Sequence, residues 1–154
     1  MEKGHTYRVT AWWTSGQSGL TKSESAPNAV HFTAPPQFGG LEGRWTPEDL
    51  LLSAVAGCFT TTFHAVAGYA KFAYTDLEVE VEGTVEKTHT GYCFTRIVIR
   101  PRLMISDEQE KTQASDLLEK ARSLCLVARA LATVQDFEPH VGVGAMVESG
   151  ITCS

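Results

Sequence analysis

The amino-acid sequence predicts an α+β fold with antiparallel sheet, and three observations carry that expectation. From Leu50 to Tyr69 the chain has no Asp, Glu, Lys or Arg, and its apolar residues recur as on a buried helix. A stretch of alternating aliphatics and glutamates from Leu77 to Glu86 then reads as the first arm of a hairpin. Beyond it, Leu117, Leu118, Ala121, Leu124 and Cys125 fall at the spacing of an amphipathic helix. The order of three strands, helix, two strands, helix and strand argues for an α+β domain. With 154 residues and no repeat, linker or low-complexity segment, one domain over residues 1–154 is expected.

The first strand, Thr6–Thr14, alternates with Tyr7, Val9, Ala11 and Trp13 on one side. Ser15-Gly16-Gln17-Ser18-Gly19 is a turn cluster leading into a strand at Leu20–Glu24, and Ala29–Thr33 reads as a third. The Pro- and Gly-rich segment from Ala34 to Gly40 is a loop that delivers the chain to the long helix.

Thr46 is a good N-cap for that helix, Pro47 suits its first position, and Glu48 and Asp49 favour the positive end of its dipole. On a helical wheel Leu52, Val55, Phe59, Phe63 and Val66 make a bulky face suited to a sheet. Ala54, Gly57, Cys58, Thr61, Ala65 and Gly68 make a face of small residues. Small residues let another backbone come close, so that face is expected to meet a second helix. The run is long enough to span a bilayer, but Ser53, Thr60, Thr61, Thr62 and His64 dilute its hydropathy, and a buried core helix is expected.

In the hairpin, Leu77, Val79, Val81 and Val85 alternate with glutamates, and Cys93, Thr95, Ile97 and Ile99 alternate with Phe94, Arg96, Val98 and Arg100. A turn centred near His89 would set Glu82 opposite Arg96, Glu78 opposite Arg100 and Asp76 opposite Arg102. The charges then form a solvated sheet face, and Cys93 points into the core. Ser106-Asp107-Glu108-Gln109 is a capping box opening the second helix. Its apolar stripe runs on through Ala128, Leu131 and Ala132, which turns Cys125 inward. Glu138-Pro139 ends the helical region, His140–Val147 reads as a last strand, and Cys153 lies near the terminus.

A net charge of −5 and the lack of a basic stripe argue against nucleic acid as partner. The opening MEKGHTYRV has neither an apolar core nor a cleavage site for export, so a cytoplasmic protein with four reduced cysteines is expected. The cysteines are widely separated and the histidines make no HxH or HxxxH pair, so nothing asks for a metal. A lone buried cysteine such as Cys58 is most simply a small core residue.

Two segments resemble a known family. Pro47-Glu48-Asp49-Leu50, with Cys58-Phe59 ten residues past the Glu, is similar to the NPE(x)L…ACF helix of the OsmC/Ohr family of thiol hydroperoxide reductases (osmotically inducible protein C and organic hydroperoxide resistance protein). Cys125-Leu126-Val127-Ala128-Arg129-Ala130-Leu131 resembles that family's second-cysteine segment, usually Cys-Pro-x-Ser, and the order of elements agrees over nearly the whole chain. The resemblance implies an intertwined homodimer, with antiparallel sheets of both chains wrapped around two central helices and active sites at the interface. It implies a peroxidatic Cys58, a resolving Cys125 and an active-site carboxylate in Glu48. Its substrates would be organic hydroperoxides or hydrogen peroxide, and an external thiol or dithiol would serve as reductant without flavin, haem or metal.

An arginine normally completes the family's site. Gln17 stands where one branch carries it, in a turn after the first strand; other branches carry it before the central helix, which makes Arg44 the substitute, with Arg8 behind it. Leu126 replaces the usual Pro. Peroxide reduction needs a thiolate, and a cysteine three turns into a helix gains little from the dipole. A cation is therefore expected beside Cys58, and a guanidinium suits the task. Ten residues of helix put Glu48 roughly 15 Å from Cys58 along the axis, so two antiparallel copies would be needed to bring the pair together. Two rival readings remain open from the residues. One is a non-enzymatic or repurposed relative that binds a small hydrophobic ligand. The other is a hotdog-type thioesterase, which gives no account of cysteines on two helix stripes.

Overall fold

The computed structural model describes residues 4–144, and the chain divides into two compact units, residues 1–51 and residues 52–154. The first holds a three-stranded antiparallel sheet, β1 (Val9–Ser15), β2 (Ser18–Ser23) and β3 (Val30–Thr33), in the order β1-β2-β3. The β1–β2 turn is tight: Ser15 pairs with Ser18, and Gly16 takes φ 56°, where a side chain would be strained. Every residue of β1 is exposed, so Val9, Trp12 and Trp13 present apolar surface on both faces of the strand, and Tyr7 just before it is exposed as well. The expected strand is thus present, with neither of its faces buried.

Fully buried Thr33 organises the loop that follows. Its hydroxyl donates to the Gln17 carbonyl at 2.9 Å and accepts from the Leu41 N–H at 3.0 Å, while its own N–H donates to the Trp45 carbonyl at 3.0 Å. The loop hands the chain to α1 (Pro47–Tyr69), whose start is capped reciprocally. The Asp49 N–H donates to Thr46 Oγ1 at 3.1 Å, and Asp49 Oδ2 accepts from the Thr46 N–H at 3.0 Å. This satisfies orphan donors at the helix entrance.

The second unit begins within α1 and adds β4 (Asp76–Thr88), β5 (Gly91–Ile105), α2 (Lys111–Leu124), α3 (Leu126–Arg129), β6 (Gln135–Phe137) and β7 (His140–Val143). β4 and β5 form the long antiparallel hairpin, and β6 and β7 both join β5 in parallel. The parallel joins follow from the helical crossover between β5 and β6, since parallel neighbours cannot be linked by a tight turn. Within this unit the bulky stripe of α1 is buried as expected. Val55, Phe59 and Phe63 are fully covered and pack in one core with Ile97, Ile99, Leu103, Ile105, Leu118 and Ala121. The opposite stripe, with Ala54, Gly57, Thr61, Ala65 and Gly68, is exposed. By length and a mean hydropathy of 1.6, α1 is also apolar enough to cross a membrane.

The hairpin register departs from expectation. The turn has two residues, His89 and Thr90, between paired Thr88 and Gly91, and a bulge follows: Val85 faces Phe94 but Thr84 faces Arg96, leaving Thr95 as an extra residue on β5. Glu78 therefore lies opposite Arg102 rather than Arg100, and Glu80 takes the place opposite Arg100. Glu82 faces Val98 rather than Arg96, and Asp76 faces Met104 rather than Arg102. Arg100 still collects Glu80, Glu82 and Glu138, so the charged face is solvated and internally paired as expected. The bulge also flips alternation along β5. Phe94 turns inward, so close to Gly83 that an added Cβ there would lie 2.7 Å from its ring. Cys93 turns out beside Glu86 and is exposed, which corrects the expectation of a core thiol.

The second helix also differs. Asp107, not Ser106, caps its entrance by accepting from the Gln109 N–H at 2.9 Å, and a single 3-10 turn, Glu108–Glu110, precedes α2. The helix is not continuous: it breaks at Cys125. The last strand is present as β7 and ends at Val143; the rest of its expected span, residues 145–147, and Cys153 lie outside the described residues.

Thr46→Ala removes one half of the reciprocal cap and is expected to lower the unfolding free energy by about 1 kcal/mol, with Thr46→Ser close to the parent. Urea denaturation checks this; an alanine variant as stable as the parent would mean the cap is idle.

Candidate functional site: a pair of facing thiols

The break at Cys125 builds the site. Cys125 takes φ −63° and ψ 104°, an extended conformation, and the chain resumes helix at Leu126. The first N–H groups of a new helix have no carbonyl one turn back to receive them. Here they find sulfur. The Val127 and Leu126 amides donate to Cys58, and the Ala128 and Val127 amides donate to Cys125. Each cysteine shifts the titration of the other, and Thr62, one turn along α1, lies with Oγ1 4.0 Å from Cys58 Sγ. Cys58 is half-buried and Cys125 fully buried. Cys58 thus leaves the small-residue stripe assigned to it and packs against the core beside the break.

This arrangement separates the thiols electrostatically. Burial pushes the Cys58 thiol up, but the Val127 amide, the Cys125 thiol, the Thr62 hydroxyl and the Leu126 amide together outweigh it and hold Cys58 below the ordinary thiol range. Burial likewise pushes Cys125 up, and the facing Cys58 sulfur, as acceptor and as charge, adds to the rise. Cys58 is therefore the first of the two to ionise. The groups that lower Cys58 are two amides, a thiol and a hydroxyl, all neutral, where a cation was expected.

Sequence reasoning missed the amides because no Gly or Pro marks the break: Leu126 and Val127 are ordinary helix residues. The one available signal was the family's usual Pro after the second cysteine, which disfavours helix at the residue before it.

The other candidates are not drawn into a pair. Arg44 is exposed, follows Gly43 at φ 71°, and makes no ion pair among the described residues. Glu48 is half-buried, and its Oε2 is a buried oxygen with no hydrogen-bond partner. Glu48 and Arg44 make no ion pair with each other among the described residues. Arg8 is held by Glu24 at 2.9 Å on the exposed sheet. The Gln17 side chain has no hydrogen bond among the described residues; its carbonyl serves Thr33. No group of three metal-ligating side chains occurs among the described residues.

The fold is thus an α+β chain whose long helix and helix break bring two unequal thiols close together. The pattern of OsmC-like proteins matches residues 40–139. The chain is 25% identical over 130 residues to the uncharacterised protein YmaD of Bacillus subtilis, covering 82% of this chain and 87% of that one. It is 25% identical over 116 residues to peroxiredoxin OsmC of Escherichia coli, covering 75% and 80%. Its fold superposes on an organic hydroperoxide resistance protein of Elizabethkingia anophelis with TM-score 0.74, at 21% identity, over 94% of this chain and all of the other. The chain belongs to the OsmC-like protein family.

Cys58 is expected to alkylate with a half-maximal pH below that of a free cysteine, because the thiolate forms as pH rises through a lowered pKa. Leu126→Pro deletes one amide donor and Thr62→Val the hydroxyl, so each should move the midpoint upward. Iodoacetamide rates at Cys58 as a function of pH check this; coincident curves for parent and both variants would contradict it.

Proposed function

We propose that the protein is a thiol-dependent hydroperoxide reductase with Cys58 as peroxidatic and Cys125 as resolving cysteine. The observation that carries this reading is the contact between a thiol held low and one held high. Such a pair divides the labour of peroxide reduction, one sulfur as nucleophile and the other as the proton-bearing partner. The hydroperoxide class of substrate is suggested by relatives called peroxiredoxin and organic hydroperoxide resistance protein.

In the cycle, the Cys58 thiolate attacks one peroxide oxygen, the O–O bond breaks, and alcohol or water leaves with a proton. Cys58 becomes a sulfenic acid. Cys125 then attacks that sulfur, water leaves, and a disulfide forms. An external thiol or dithiol returns both sulfurs to the reduced state, and no flavin, haem or metal enters the scheme.

The working form in this reading is a cytoplasmic homodimer in which the whole chain acts as one OsmC-like domain. The exposed small-residue stripe of α1 and the bare apolar surface of β1 support it, since a second copy would cover both. The buried and unpartnered Oε2 of Glu48 supports a role for that carboxylate in receiving a donor, with Arg44 as the candidate guanidinium.

Peroxide consumption with excess thiol tests the function. The parent should turn over, Cys58→Ser should be inactive, and Cys125→Ser should stop after one equivalent with Cys58 as sulfenic acid or further oxidised. A parent that leaves organic hydroperoxide and hydrogen peroxide unconsumed would contradict the proposal.

For the dimer, Ala54→Leu or Ala65→Leu should overpack the helix contact at a cost of roughly 1–3 kcal/mol and raise the dissociation constant. Sedimentation at micromolar concentration reads it. A parent that sediments as a monomer would remove the dimer from the account.

A further inference from the structure

On the outer side of the helix break lies an open cleft of about 330 Å³, lined by Glu119, Arg122 and Ser123 of α2, Ala128 and Arg129 of α3, and Gln135 of β6. Nothing in the peroxide cycle uses it. Its charge is cationic on balance, two guanidiniums against one carboxylate. Arg122 is held in place: its guanidinium carbon lies 5.0 Å from the centre of the Phe137 ring, and Glu119 approaches it at 3.7 Å. Arg129 makes no ion pair among the described residues. The floor is tied down by the Gln135 side-chain amide, which donates to the Ala128 carbonyl at 2.8 Å.

The cleft adjoins the thiol pair through one residue. Ala128 lines it, and the N–H of the same residue reaches the Cys125 sulfur. We propose that the cleft docks the carboxylate of an anionic thiol that reduces the Cys58–Cys125 disulfide, with Arg122 and Arg129 binding the carboxylate. The proposal rests on the peroxidase reading above and names the class of its reductant.

The chemistry of exchange points to the same side. A thiolate attacks a disulfide fastest where the better leaving group departs, and Cys58 is the more easily ionised sulfur. The reductant thiolate therefore forms its bond to Cys125 Sγ, the S–S bond breaks, and the electron pair leaves on Cys58 as thiolate. A second thiolate attacks the reductant's own sulfur in the mixed disulfide. Cys125 departs, takes up a proton, and the reductant leaves as its disulfide, two thiols having supplied two electrons. Cys125 is fully buried in the dithiol form, so the incoming thiol must displace α3, a helix of four residues. Anchoring on Arg129 of that same helix would place the reductant where this displacement occurs.

The test separates reduction from oxidation. The protein is first oxidised with one equivalent of cumene hydroperoxide, or with diamide should peroxide give no disulfide, an outcome that would overturn the peroxidase reading rather than the cleft. Reduction rates are then measured with 3-mercaptopropionate and with its neutral amide. The ratio of the two rates cancels effects common to both thiols. In Arg129→Gln and in Arg122→Gln/Arg129→Gln the ratio should fall about tenfold relative to the parent, and Arg122→Lys should retain most of it. Raising ionic strength should lower the parent's ratio. A ratio within twofold of the parent in Arg129→Gln and the double variant would overturn the proposal. So would a failure to form the disulfide by either oxidant, or variants that slow oxidation by a carboxylate-bearing hydroperoxide while leaving reduction intact, which would assign the anion site to the substrate.

Discussion

The contact between Cys58 and Cys125 depends on a helix that stops one residue too early. Were α2 to run straight through Cys125, the amides of Leu126, Val127 and Ala128 would each be spent on a carbonyl one turn back. Because Cys125 is extended, those amides are free to donate, and they donate to sulfur. The same break orders the two thiols. It gives Cys58 enough donors to outweigh its burial, and it leaves Cys125 deeper, protonated and facing a sulfur that ionises first. Packing fixes the partners: Phe59 and Phe63 lock the α1 face into the core, while Leu118 and Ala121 do the same for α2, so neither cysteine is free to turn away.

A thiol activated by neutral amides behaves differently from one activated by a cation. Amide donors are fixed by backbone geometry and are unaffected by salt or by titration of a neighbour, whereas a guanidinium supplies long-range charge that salt screens. In the proposed cycle the work can therefore be divided between two devices. The amides at the break set the resting acidity of Cys58. An arginine, in the proposed dimer, would act on the bound peroxide and pair with the unsatisfied oxygen of Glu48. That division explains how a thiolate can be favoured here although the arginine turn of one branch of the family has become Gln17.

Much of the fold was legible because its signals are periodic and local. The bulky stripe of α1, the Thr46 cap and the alternation of Val79 and Val81 with Glu78 and Glu80 each follow from residue spacing, and each is found. What was not legible depends on single-residue irregularities. One extra residue at Thr95 shifts the ion pairs and turns Cys93 outward, and no Gly or Pro announces it. The break at Cys125 is hidden in the same way, inside a stripe whose 3.6-residue spacing continues unbroken through Ala128. β6 was missed because a three-residue strand is too short for alternation to register. Of the site, the two cysteines were readable as a pair by resemblance, but their neutral activation was not readable at all, since backbone amides leave no mark in a sequence.

In the proposed cycle Cys58 and Cys125 form one redox couple. Peptide mass mapping after treatment with less than one equivalent of organic hydroperoxide tests it most directly. A single new cross-link, Cys58 to Cys125, is expected, with Cys93 and Cys153 still alkylatable. A disulfide that joins Cys58 to Cys153, or oxidation that falls on the exposed Cys93 while Cys58 stays reduced, would contradict it.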